Sequence, residues 1–168
     1  MPKQVADLDV VRPQPTVADM LQAVIEKGVT SENVAAVGEI VKLFERQEER
    51  KAEREFTSAF VKLQAEMRAV KATKPVPNND GTIRYTFAPF EEIMKEIGPK
   101  LEAHGFTVTF STDFAEGRLI KSCTLSHSAG HSKTNKFAVR IGSGPPKATE
   151  TQADGAASTY AKRFALCD

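Results

Sequence analysis

Lys162 and Arg163 stand side by side in the stretch GSGPPKATETQADGAASTYAKRF, Gly142 to Phe164. The stretch begins as a Gly/Pro loop carrying Lys147 and ends as a helical pattern. A loop that feeds a helix is a common phosphate holder, because free amides and the helix N-terminus both face an anion. Two chemistries follow: a cradle for a nucleoside triphosphate, or a clamp on a nucleic-acid backbone. The first needs Gly, four residues, then Gly-Lys-Ser/Thr, so that amides wrap the phosphates and a hydroxyl holds magnesium. GSGPPKAT lacks that order, and Pro145 and Pro146 remove two amide donors. Nucleotide hydrolysis is not expected from it.

Other reactive residues are sparse. Cys123, His127 and His131 are spaced by four and four, which raises a metal site. A Ser128-Ala129-Gly130 turn falls between the two histidines and is expected to break the shared face, leaving a buried cysteine and two histidines flanking a hairpin. No metal and no cofactor is expected. Cys123 sits mid-strand among apolar neighbours, where cysteine behaves as an inert small hydrophobe. ADGAAS is not the Gly-x-Ser-x-Gly elbow of a serine nucleophile. Glu91 and Glu92 open a helix, where carboxylates suit the dipole. The chain is not read as an enzyme.

Nucleic-acid binding has more to draw on. Lys133, Lys136 and Arg140 lie on one candidate strand, Lys147 on the loop, and Gln152, Thr159, Lys162 and Arg163 on the last helix. Cations, hydroxyls and amides are the usual donors to phosphate oxygens. Net charge is only +1, yet Arg118 to Asp168 holds eight basic residues against three acidic ones. That segment carries +5 and the remaining 117 residues −4, so the total conceals a basic face. Composition alone leaves an ordinary amphipathic helix with solvated bases equally open.

The elements that must position these residues follow from periodicity. Residues 1–15 carry three prolines and read as a disordered arm. Thr16 caps a helix ending at Gly28. A second helical pattern runs from Ser31 to Val70, with Val34, Val37, Val41 and Phe44, then Phe56, Phe60, Leu63 and Met67, at offsets of three and four. Its centre, Glu45 to Glu55, is nearly all charge and reads as a solvated face. Lys74 to Thr82 reads as a loop, Ile83 to Phe87 as a short strand, and Phe90 to Leu101 as a helix that Gly98-Pro99 should kink or split. Three strands follow, separated by turns at Ala115–Gly117 and Ser128–Gly130. Along the third, Phe137, Val139 and Ile141 point one way and Lys136 and Arg140 the other. A helix from about Thr151 completes an α+β chain, an antiparallel sheet packed on helices with a long N-terminal helical segment. Domains are set at 1–15, a helical and oligomerisation segment 16–55, and a main domain 56–168. No apolar run spans a membrane and no signal peptide is visible, so a cytoplasmic setting is expected.

TQADGAASTYAKRFALCD resembles the signature of the ERF (essential recombination function) family of phage single-strand annealing proteins. The signature positions are Gln152, Gly155, Ala156, Thr159, Tyr160, Lys162, Arg163, Phe164, Ala165 and Leu166, with Phe164 standing where Tyr is common. RYTFAPFEEIMKEIGPKLEAHGF and CTLSHSAGHS upstream are similar to a Tyr–Ala–Pro segment, a Pro-x-Leu-x-x-x-Gly segment and a His-x-x-Gly turn of the family. The resemblance covers Phe56 to Asp168. It implies an annealing-recombinase-like fold, binding of single-stranded DNA, and ATP-independent pairing of complementary strands in phage homologous recombination. It also implies assembly into a ring or helical filament in a bacterial host cell, with a phage exonuclease or a host single-strand-binding protein as further candidate partners. By position, Lys162 and Arg163 would bind the DNA backbone, while Tyr160 and Phe164 would pack the core. The competing readings are a structural or regulatory oligomer with a basic protein-binding face, and a small Cys/His metalloenzyme.

Overall fold

A computed structural model of the chain describes residues 16–28, 30–31, 33–78, 80–141 and 149–167. The arm expected over 1–15 and the loop Gly142–Lys147, with its lysine, lie outside the described residues. The chain divides into two compact units between Arg50 and Lys51.

The first unit holds α1 (Val17–Lys27) and the start of α2 (Val34–Glu66). Thr16 opens α1 with a capping box. Its hydroxyl accepts the Asp19 N–H at 3.1 Å, and the Asp19 carboxylate accepts the Thr16 N–H at 2.8 Å. These bonds hold the Asp19 carboxyl below its usual value. Gly28 ends the helix at φ +84°, a conformation open to glycine. α1 is amphipathic yet buries no residue. Val34, Leu43 and Phe44 on α2 are exposed as well. The charged centre of α2 is solvated, as its composition predicts.

The second unit begins within α2. That helix stops at Glu66, before the Val70 expected from its stripe. The Met67 N–H bonds back only three residues, to the Gln64 carbonyl at 3.2 Å, and Val70 then packs onto the core outside the helix. Lys74 to Thr82 is not a plain loop. Lys74–Pro77 is a strand, β1, paired antiparallel with β2 (Ile83–Phe87). Its two prolines hid it, but an edge strand tolerates missing donors. Asn78 and Thr82 close the hairpin through Asn78 N–H to the Thr82 carbonyl at 2.7 Å.

α3 (Phe90–Ala103) runs through Pro99 without splitting. Pro99 and Lys95, whose carbonyl loses its partner, are both on the exposed side. The opposite side, Ile93, Ile97 and Leu101, is buried and holds the helix together across that gap. β3 (Phe106–Ala115), β4 (Arg118–His127) and β5 (Ser132–Arg140) form an antiparallel meander in that order. Glu116 and Gly117, at φ +51° and +68°, make the two-residue turn whose twist suits a hairpin. Gly105, at φ +72°, lies so close to the next loop that a Cβ there would sit 2.8 Å from Ser128 Oγ.

Register sorts the sheet into two faces. The even-numbered residues of β3, with their odd-numbered partners in β4 and β5, face the helices, and the odd-numbered residues of β3, with their even-numbered partners in β4 and β5, face away. Phe56 and Leu63 of α2, Ile93, Ile97 and Leu101 of α3, and Phe106 of β3 form one buried cluster. α4 (Glu150–Cys167) packs Ala161 and Ala165 flush against β4 and β5. The result is an α+β unit with α3, α4 and the end of α2 on one side of the β3–β5 antiparallel sheet.

Candidate nucleic-acid interface

α4 begins with a second reciprocal cap. The Gln152 N–H donates to Thr149 Oγ1 at 3.3 Å, and the Thr149 N–H donates to Gln152 Oε1 at 3.2 Å. Gln152, expected to touch phosphate, therefore spends its side-chain oxygen on starting the helix. Alanines on the buried stripe bring the helix axis close to the sheet. Phe164 stacks on Phe137 of β5, with centroids 5.0 Å apart. Phe164 is part of the packing, as its position in the signature implies. Tyr160 is not buried: it remains 43% exposed.

Lys162 and Arg163 are adjacent in sequence and so diverge by about 100° around the helix. Lys162 Nζ lies 4.2 Å from the Phe90 ring centre and 4.7 Å from that of Phe110. Those two rings meet edge to face at 5.6 Å. A cation held over two partly desolvated rings gains about 0.5–2 kcal/mol. Beneath it on β4, Lys121 is 8% exposed and donates to Thr112 Oγ1. Burial, and then the nearby Lys162 charge, push its ammonium below the usual lysine value. Arg163 turns the other way. Its guanidinium carbon is 4.5 Å from the Phe87 ring centre and 5.5 Å from that of Tyr160. Among the described residues, no carboxylate forms an ion pair with Lys121, Lys162 or Arg163.

Arg163 lines a groove of about 370 Å³. Tyr85 and Phe87 of β2 and Phe90 of α3 form one wall; Gly155, Ala156, Thr159 and Tyr160 of α4 form the other. The helix residues recur at one, four, five and eight positions after Gly155, a single helical stripe. Thr159 lies here as expected, its hydroxyl bonded back to the Gly155 carbonyl at 3.0 Å.

The other expected cations among the described residues are elsewhere. Lys136 and Arg140 project from the open face of the sheet, opposite to α4. There Arg140 sits across from Arg118, and Lys136 across from Ser122. The same face carries Thr109, Thr124 and Thr134 in one row, with Thr124 and Thr134 hydroxyls bonded at 2.8 Å. Lys133 is on the helix side, 5.6 Å from the Phe56 ring, beside a separate apolar cleft of about 570 Å³. Among the described residues the expected cations thus divide among three places rather than forming one surface.

Cys123, His127 and His131 do not converge. Among the described residues no group of three His, Cys, Asp or Glu side chains is placed to hold a metal. The His127 ring packs 4.8 Å from Phe106, and His131 5.0 Å from Phe56. Burial, and then Cys167 nearby, raise the Cys123 thiol above its usual value, as an unreactive buried cysteine requires.

The stretch from Phe56 onward, from the first buried ring of the core to the end of α4, coincides with a known sequence pattern. The profile of the ERF superfamily matches residues 56–168. The chain belongs to the ERF superfamily. No curated protein and no solved structure matches it. The ERF match begins within α2 and takes in the hairpin, the meander and α4. Within it, Tyr85, Phe87, Phe90 and Lys121 border the α4 cations although composition did not single them out. A usable signal was present for two of them: Tyr85 and Phe87 alternate within RYTF and must share one side of a strand. Lys121 gave none, since a lysine between Ile120 and Ser122 does not declare which face it occupies. No described helix is long and apolar enough to cross a membrane.

Proposed function

We propose that this ERF-superfamily protein binds single-stranded DNA and anneals complementary strands without ATP, in phage homologous recombination within the bacterial cytoplasm. The observation that carries the reading is the placement of Lys121, Lys162 and Arg163 around α4 with no carboxylate partner among the described residues. Like charges gathered in a partly desolvated site are costly, and an external polyanion relieves that cost. Aromatic rings fix both outer cations, so little side-chain entropy is lost when phosphate arrives.

Annealing needs no covalent step. One strand must be held through its backbone while a second tests pairing, and phosphate contacts hold without reading sequence. Each protomer offers only a few cations, so a continuous groove requires repetition of the chain. The first unit supports a homo-oligomer: α1 buries no residue, and Ile25, Val34 and Leu43 are exposed apolar groups that a second copy would cover.

The decisive experiment mixes complementary labelled oligonucleotides with the protein and no nucleotide. Acceleration of duplex formation is the expected result; a rate equal to that of the DNA alone rejects the function. Light scattering that finds only a monomer, with and without DNA, rejects the assembly.

A further inference from the structure

The groove beside Arg163 is not explained by phosphate binding. One wall is three rings and the other carries a fourth, Tyr160, and ring faces do not attract phosphate. The chain has two tyrosines, and both, Tyr85 and Tyr160, line this one groove. They are 46% and 43% exposed, so both rings are open to solvent on the groove side. Phe87 lines the same groove, with the Arg163 guanidinium 4.5 Å from its ring centre.

Gly155 adds an independent observation. It lies inside α4, where glycine destabilises a helix relative to alanine. Its φ is not positive, and a Cβ built there would meet nothing within 4 Å. Neither backbone conformation nor packing within the described chain calls for glycine. What the missing side chain does is leave the α4 wall of the groove open at that point.

We propose that the groove takes a nucleobase of the bound strand, stacked between Tyr85 and Tyr160 over the open surface at Gly155, with Arg163 reaching the adjoining phosphate. The inference rests on the single-strand reading above and specifies how that strand is gripped. Aromatic faces beside cations are the combination that holds single strands without sequence preference, since every base has a π face. An aromatic side chain of a protein partner would fit the rings but would leave Arg163 without an anion. One base per protomer turned into the groove leaves its neighbours free for pairing.

The test compares binding of labelled oligothymidylate with an abasic oligomer of equal length and charge, using fluorescence anisotropy at several salt concentrations. The wild-type protein should prefer the oligomer with bases by about fivefold or more, the lower end of what one stacked base contributes. Tyr85→Ala with Tyr160→Ala should bring that ratio towards one without changing the salt slope, and Tyr85→Phe should keep it. Gly155→Leu should fill the groove from its α4 wall and abolish the preference while the thermal midpoint stays equal or rises, which separates blocking from misfolding. Equal wild-type affinity for both oligomers overturns stacking alone. A preference that survives the double tyrosine variant and Gly155→Leu places the base contact elsewhere and overturns it too. Failure to bind either oligomer overturns the single-strand reading, and the stacking inference with it.

Discussion

The two faces of the β3–β5 sheet carry cations in opposite ways. On the helix side, Lys121, Lys162 and Arg163 are buried or half-buried, each held by rings or a hydroxyl. On the open side, Arg118, Lys136 and Arg140 are exposed on a lawn of serines and threonines. Water already satisfies the open-face charges, so they lose hydration when they bind an anion and gain little. The helix-side charges have lost that hydration on folding, and burial makes an anion worth more to them. The number of cations on a face therefore does not by itself make a site.

The largest expected effect tests that difference directly. Lys162→Ala with Arg163→Ala should weaken single-strand binding about tenfold or more at low salt and reduce the slope of log affinity against log salt by about 1.4. An effect no larger than that of Lys136→Ala with Arg140→Ala would break the comparison. Titrations at three or more salt concentrations read both quantities.

Next in size is Phe90→Leu, which removes the ring nearest Lys162 while keeping an apolar side chain. Freed from its ring, Lys162 should bind DNA about fivefold less tightly, matching the roughly 1 kcal/mol of a cation–π contact. Unchanged affinity would show that the ring does not position the ammonium.

Lys121 sharpens the comparison through pH. Its ammonium titrates below the usual lysine value of about 10.4 in the folded chain, so the unfolded chain holds the proton more tightly. Stability should then rise with pH between the depressed value and about 10.4, and be lost as pH falls through the depressed value. Lys121→Met should remove that rise, seen as the wild-type minus variant difference in thermal midpoint across alkaline pH. A difference that does not vary with pH would show that Lys121 is not desolvated.

The smallest effect belongs to the open face. Lys136→Ala with Arg140→Ala should alter stability by no more than about 0.5 kcal/mol, as surface changes usually do. Its effect on DNA affinity should be under about threefold. A larger loss of affinity would move the open face into the binding surface.

Much of the fold was legible because its signals are local. Thr16 with Asp19 and Gly28 bounds α1 through bonds spanning three residues. Strict alternation in Phe106–Ser111 and Lys136–Ile141 separates two faces without any knowledge of the partner strand. β1 was missed because Pro75 and Pro77 look like loop residues unless the strand is known to be an edge. The splitting of α3 was expected from Gly98-Pro99 alone. Only the buried Ile93, Ile97 and Leu101 show why the helix continues.

For the candidate site, sequence by itself determined the helix with its adjacent Lys162 and Arg163, the reversed charge of the last third and the family pattern. It also determined, through period-two spacing, that Lys136 and Arg140 share a face. Tertiary structure decided which face that is, and put it on the side of the sheet away from α4. It also brought Tyr85 and Phe87, more than seventy positions away, against Tyr160 and Arg163, and slid Lys121 beneath Lys162. Spacing along a chain reports which residues share a side of one element. Whether two elements turn those sides towards each other depends on where the apolar stripes meet, and that is settled only when the core packs.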